Sequence, residues 1–283
     1  MPRKSLHCEQ CGSRASLTCL GTRRNARRTR VRTLSRIVTL LLALPNSAQA
    51  AGARPPEAST SPIATTNQQL LLVRSATWFA PKGTLNRYER DKDGHWTAAG
   101  PTIPVSLGRN GMGWGRGLHV QPKSGPFKRE GDGRSPAGAF ALSRAFGTAD
   151  ALPAGAHDFP YLHTQSTSYC VEDLRSKSYN QIIDAAELPR AAWEKWSELK
   201  RADGLFDWGV IVRQNEPNPQ RGAGSCVFLH VWRGPQMPTS GCTAMPHEQI
   251  EGIVRWLDPR AEPVLVQLPE PVFQKLREAW GLP

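Results

Sequence analysis

"VFLHVWRGPQMPTSGCTAMP", Val227–Pro246, joins three kinds of local structure in twenty residues. Its first six residues form an apolar, β-branched and aromatic run of the strand type. A Gly/Pro-rich loop follows, and then Cys242, set between Gly241 and Thr243. Pro246 opens a segment with helical spacing. A structural cysteine usually sits inside an apolar run, whereas this one sits in a Thr-Ser-Gly loop twelve residues after His230. A strand ending near His230 would hold the ring in place, and the loop Arg233–Gly241 would fold back to bring Cys242 beside it. A helix starting near Pro246 would aim its positive end at the sulfur and lower its pKa. Gly241 leaves room for a substrate to approach, and the amides of Gly241 and Cys242 would receive an oxyanion. Nucleophile, base and oxyanion hole together make the minimum for acyl transfer through a thioester. His247, in the first helical turn beside Glu248, reads as a solvated surface histidine.

Working outward, the chain repeats the strand pattern. Short β-type runs occur at "QLLLVRSATWFA", "TLNRYERD", "TIPVSLG", "GAFALSRAFG", "DWGVIVRQN", "CVFLHVW" and "PVLVQL", with Gly- and Pro-rich punctuation between them. "KDGHWTAAG" supplies an Asp-Gly turn before Trp96. Helical spacing appears in "AAWEKWSELKRA", with Trp193, Trp196 and Leu199 on one face. It appears again in "PHEQIEGIVRWL", with Ile250, Ile253 and Trp256/Leu257 on one face. The tail "PEPVFQKLREAWGLP" reads as a closing helix. The expectation is one mainly β domain over residues 68–283 with a few helices packed on it.

The net charge of +12 suggests a polyanion partner until it is located. Residues 1–50 carry ten Lys/Arg against Glu9 alone, which leaves +3 for the remainder and removes most support for nucleic-acid binding. In those fifty residues a basic run precedes "IVTLLLAL", then Pro45, then Ala48-Gln49-Ala50, the layout of a secretory signal peptide. A start nearer Val31 or Leu34 would give its basic region the usual length. The apolar run is shorter than the ~20 residues that span a bilayer, so no stable membrane insertion is expected after cleavage. Residues 51–67, rich in Ala, Pro, Ser and Thr, read as a flexible leader. Cys8, Cys11 and Cys19 fall in the targeting segment; with His7 they form no four-ligand zinc pattern. The exported chain keeps Cys170, Cys226 and Cys242, compatible with one disulfide and one free thiol. Cys170–Cys226 is one candidate pair, which would leave Cys242 as the odd thiol.

"FLHVWRGPQMPTSGCTAM" resembles the active-site signature of the L,D-transpeptidase catalytic (YkuD-type) family: a histidine, a short variable loop, then Ser/Thr-x-Gly-Cys. "KREGDGRSPAGAF", Lys128–Phe140, is similar to the family's other segment, Gly-Asp-Gly-x-Thr/Ser-Pro-x-Gly-x-Phe. "YCVEDLRSKSYNQIID", Tyr169–Asp184, is similar to a segment of its small exported branch. The resemblance covers roughly residues 68–268. It implies a β-sandwich-like catalytic domain that acts on peptidoglycan stem peptides in the periplasm or cell wall, with no metal or organic cofactor. By that resemblance Cys242 is the nucleophile, His230 the general base, Gly241 sits at the oxyanion position, and Thr239 takes the Ser/Thr place. Many members follow the cysteine with an apolar residue and arginine, where this chain has Thr243 and Ala244. The missing guanidinium puts donor choice and reaction type in question. L,D-carboxypeptidase or peptidoglycan amidase chemistry at the same Cys/His pair stands as an alternative, as does a non-catalytic wall-binding protein. Oligomeric state is not legible. Trp232, two residues past His230, and Tyr179, Asn180 and Asp173 are candidates to contact the substrate. Asp132 and Arg134 are expected to pair within a tight turn.

Overall fold

The computed structural model describes residues 61–186, 193–235 and 237–283. The targeting segment, residues 51–60 of the leader and His7, Cys8, Cys11 and Cys19 lie outside them. The strands in chain order are β1 Gln69–Ser75, β2 Lys82–Arg90, β3 Trp96–Ala98, β4 Ile103–Ser106, β5 Met112–Trp114, β6 Ser135–Gly147 and β7 Tyr161–His163. They continue as β8 Ser168–Val171, β9 Ile182–Asp184, β10 Trp196–Glu198, β11 Trp208–Val212, β12 Phe228–Val231, β13 Thr243–Met245 and β14 Val264–Pro269. Two helices follow the last strands of the site and of the sheet: α1 His247–Trp256 and α2 Glu270–Leu276.

The main sheet runs β1-β14-β6-β11-β12-β13-β4-β2, and β2 pairs back to β1. The domain is thus mainly β, as expected, but the sandwich-like arrangement takes the form of a barrel-like closed sheet. Closure removes the exposed edges that two stacked sheets would leave. It is possible because β6, thirteen residues long, pairs with β14 along one half and with β11 along the other. Each strand expected from sequence is present. By strand register Leu71, Val73, Leu85, Ile103, Phe140, Leu229 and Leu265 share one face of the closed sheet, and each is all but fully buried.

Three elements differ from expectation. Residues 196–198 form strand β10, paired antiparallel with β8, instead of a helix. Trp193 and Trp196 both pack on Tyr169, with ring centroids 6.3 and 6.4 Å apart, so their burial comes from a sheet partner that helical periodicity does not reveal. Within the segment read as a leader, residues 61–67 pack on the domain: Ile63 is buried and the Ser61 hydroxyl donates to the Trp280 carbonyl at 3.0 Å. The turn at Asp132 is tight and pairs with Arg134 through the backbone, the Arg134 amide donating to Asp132 Oδ1 at 2.9 Å. The side chains part, the carboxylate binding the Lys128 ammonium at 2.6 Å and the Arg134 guanidinium donating to the carbonyls of Asn110 and Met112.

A second, three-stranded sheet, β10-β8-β9, stands beside the barrel. Cys170 of β8 and Cys226, two residues before β12, form a disulfide with S–S 2.06 Å. The bond ties the small sheet to the chain entering β12. With the partners 56 positions apart in sequence, loop-closure entropy assigns it about 4 kcal/mol of stability. Replacing both cysteines by alanine is therefore expected to lower stability by up to that amount in urea unfolding. Non-reducing peptide mapping of the unaltered protein should return Cys170 linked to Cys226 and Cys242 free.

Candidate active site

The strands β12 and β13 run parallel, with His230 opposite Ala244. Parallel neighbours need a crossover of about a dozen residues, and here residues 232–242 span it, with no helix among the described ones. That requirement accounts for the spacing of the motif. Cys242 precedes β13 and stands two positions before Ala244, so it falls on the same face as His230, diagonally across the strand pair. Both line one cavity of about 550 Å³, walled by the barrel on one side and by Glu172 and Ser197 of the small sheet's segments on the other.

His230 is buried, and its Nδ1 lies 2.7 Å from the Val231 carbonyl. A carbonyl only accepts, so Nδ1 carries the proton and Nε2 is left as the basic nitrogen. The Phe206 ring meets the imidazole edge to face at 5.1 Å and fixes its plane. Burial pushes the His230 pKa down to about 4, against the carbonyls of Val231 and Leu205, which favour the protonated ring.

The Cys242 thiol donates to the Cys226 carbonyl at 3.6 Å. Its pKa is pushed up to about 11, chiefly by burial; the Phe228 amide opposes this, Glu172 adds to it, and Lys128 opposes it. At neutral pH the resting pair is thus thiol and neutral imidazole, and the expected lowering of the cysteine pKa by α1 is not found. The three residues of β13 put about 10 Å between the sulfur and the helix start, whereas a helix terminus acts over roughly its first turn.

The backbone around the cysteine is heavily bonded. Thr239 Oγ1 donates to the Cys242 carbonyl at 2.6 Å and accepts from the Gly241 amide at 3.1 Å. Ser135 Oγ donates to the same carbonyl at 2.9 Å and accepts from Gly108. One step on, the Thr243 hydroxyl is buried on Gln267, which in turn holds the Pro136 carbonyl at 3.0 Å. Ser135 and Gln267 are site-supporting residues that sequence reasoning missed. The "GDGRSPAGAF" segment did carry the sign: its Ser135 hydroxyl is what joins the two motifs. Gly241 adopts φ 151°, and a Cβ there would lie 3.0 Å from the Arg134 carbonyl. Gly241→Ala is accordingly expected to cost about 1–3 kcal/mol and to displace Cys242, read as a lower melting temperature together with slower product formation.

The other sequence candidates sit differently. Thr239 lines the cavity but spends its hydroxyl on the loop itself. Trp232 continues the β12–β13 ladder through its amide to Met245 and is not among the cavity-lining residues. Tyr179 is buried and donates to Glu130 at 2.6 Å; burial and that carboxylate raise its pKa. Asn180, at φ 65°, accepts from the Cys226 amide at 2.9 Å and donates to the carbonyls of Gln214 and Asn215. Asp173 accepts from the Arg175 amide in its own loop and from the Glu194 amide in the segment before β10, tying the two together. These three hold the walls of the site instead of facing its space. His247 is half-exposed at the start of α1, 3.8 Å from Asp207. Among the described residues no group of three or more His, Cys, Asp or Glu side chains is placed to hold a metal ion.

A closed, mainly β domain with a histidine on one strand and a cysteine at the entry to its parallel neighbour, both lining one cavity, defines a class of fold and site. The L,D-transpeptidase catalytic domain family (YkuD) matches residues 80–266, and the chain belongs to it. Comparison with curated proteins and with solved structures found no match.

Proposed function

We propose that the protein is an exported cysteine L,D-transpeptidase that cross-links peptidoglycan stem peptides through a thioester. The observation that carries this reading is the placement of Cys242 and His230 on one face of the β12–β13 pair, with Nδ1–H given to the Val231 carbonyl and Nε2 left basic. In the first half-reaction Cys242 Sγ attacks the carbonyl carbon of the third residue of a tetrapeptide while its proton passes to His230 Nε2. The amide C–N bond then breaks, and the departing D-alanine amine takes that proton. In the second, an acceptor amine attacks the thioester, gives its proton to Nε2, and the sulfur leaves and is reprotonated. The Gly241 amide is already engaged by Thr239, so the oxyanion falls to the Cys242 amide.

Two further features support the reading. Five cationic side chains, Arg109, Lys128, Lys195, Arg201 and Arg233, line the cavity against two carboxylates, Glu130 and Glu172, which suits a peptide bearing several carboxylates. A disulfide in the domain fits an oxidising compartment, in keeping with export to the periplasm or cell wall.

Mass spectrometry of products from a disaccharide-tetrapeptide tests the proposal. Cross-linked dimers with loss of D-alanine are expected. Tripeptide without dimers would instead assign an L,D-carboxypeptidase, and absence of any product beside an active family member would sink acyl transfer from this donor.

A further inference from the structure

The cavity contains a buried ammonium that the transfer steps above do not use. The Lys128 side chain is only 5% exposed, in a turn whose conformation is set by Asp132. Its Nζ donates to the Arg129 carbonyl at 2.7 Å and to Asp132 Oδ1 at 2.6 Å. An ammonium has three N–H donors, so one remains beyond these two. The stem runs directly beside the nucleophile's loop: its Cε lies 3.8 Å from where a Cβ on Gly241 would be and 3.1 Å from one on Gly224. Lys128 and Cys242 line the same cavity. Ala244, two residues past the nucleophile, is buried on that wall and brings no charge.

We propose that Lys128 is the electrostatic positioning residue of the Cys242 nucleophile. Its ammonium, fixed in the wall by Asp132, stabilises the thiolate as the sulfur gives up its proton. A buried cation cannot swing away into solvent, so its field persists throughout the reaction. The sign agrees with the electrostatics of the thiol, whose pKa Lys128 lowers while Glu172 raises it. Glu172 acts against Lys128 at the thiol although Lys195 stands 3.6 Å from it, and Asp132, 2.6 Å from the ammonium, draws off part of the Lys128 field without cancelling it. The inference concerns the nucleophile of the proposed transpeptidase, yet its test needs no peptidoglycan, so the two can fail separately.

The readout is alkylation of the full-length protein by iodoacetamide at pH 8, followed by mass at the peptide containing Cys242. Iodoacetamide is neutral and reacts with thiolate, so its rate reports the thiolate fraction. Lys128→Met is expected to slow the reaction about tenfold, one unit of pKa. Lys128→Gln, which keeps an N–H for Asp132, should act likewise and covers the case in which the Met variant does not fold. Lys128→Arg, keeping the charge, should stay within about threefold of the parent. Glu172→Gln should move the rate the other way. An unchanged rate in either neutral variant with a native melt would overturn the proposal. So would an equal slowing in Lys128→Arg, which would make the effect one of packing.

Discussion

Cys242→Ala is expected to remove dimer and tripeptide products altogether, a loss of roughly a millionfold in turnover by analogy with other nucleophile deletions, while leaving the fold intact. The second half of that expectation is as structural as the first. The thiol's hydrogen bond, to the Cys226 carbonyl at 3.6 Å, is long and weak, so a methyl group in its place forfeits little. The bonds that shape the loop belong instead to the Cys242 carbonyl, held by Ser135 and Thr239, and an alanine keeps that carbonyl. The melting temperature of the variant should therefore stay within a few degrees of the parent, and the product assay then reads chemistry alone. Dimers formed at the parental rate by a natively folded Cys242→Ala protein would end the nucleophile assignment.

The parts of this molecule that were legible in the sequence are those with local causes. The runs that became β1, β4, β11, β12 and β14 are apolar or alternating over four or more residues and bounded by turn residues. The helix α1 buries Ile250, Ile253 and Val254 on one face, in keeping with its periodicity. Cys242 and His230 could be paired because a strand, a crossover and a second strand leave few ways to arrange twelve residues. What was not legible depends on distant partners. Closure of the barrel rests on β1 pairing with both β2 and β14, nearly two hundred residues apart in the chain. The "AAWEKWSELKRA" segment has helical spacing, but only Trp196 lies in a strand and Trp193 precedes it; both rings meet Tyr169 of β8, a partner that local periodicity does not reveal. Tyr179 and Asn180 look like ligand-contacting residues as letters; their side chains turn inward to Glu130 and to the Cys226 amide.

The site's electrostatics were the least accessible of all, because a pKa depends on what surrounds a group and not on what precedes it. From sequence a helix start near Pro246 argued for a low thiol pKa, yet burial dominates and moves it the other way. For the proposed acyl transfer the consequence is that the thiol proton must move during attack, with no preformed thiolate–imidazolium pair. The same burial that makes the thiol reluctant keeps His230 unprotonated and so available as base. The two shifts are complementary, and in the proposed mechanism they give His230 a larger share of the rate than it would have beside an already ionised cysteine.

His230→Ala should accordingly change the shape of the pH profile as well as its height. In the parent, the imidazole is neutral above its pKa of about 4 and the thiol is protonated below its pKa of about 11. Across the intervening range both partners are in the state that general-base attack requires, so kcat/KM should be flat from about pH 6 to 9 and fall on the acid side as His230 takes up a proton. Without the imidazole only pre-existing thiolate can attack. Its fraction rises tenfold per pH unit up to the thiol pKa, so the variant's kcat/KM should climb steadily with pH. At pH 7 the deficit should be on the order of ten thousandfold, at the upper end of what general-base catalysis contributes. Dividing the variant's profile by the parent's removes ionisations of the peptide itself, since these appear in both. A ratio with a slope near one per pH unit would establish proton transfer to His230 during attack; a ratio independent of pH would mean that the thiol is ionised before His230 acts, and the concerted step would have to be abandoned.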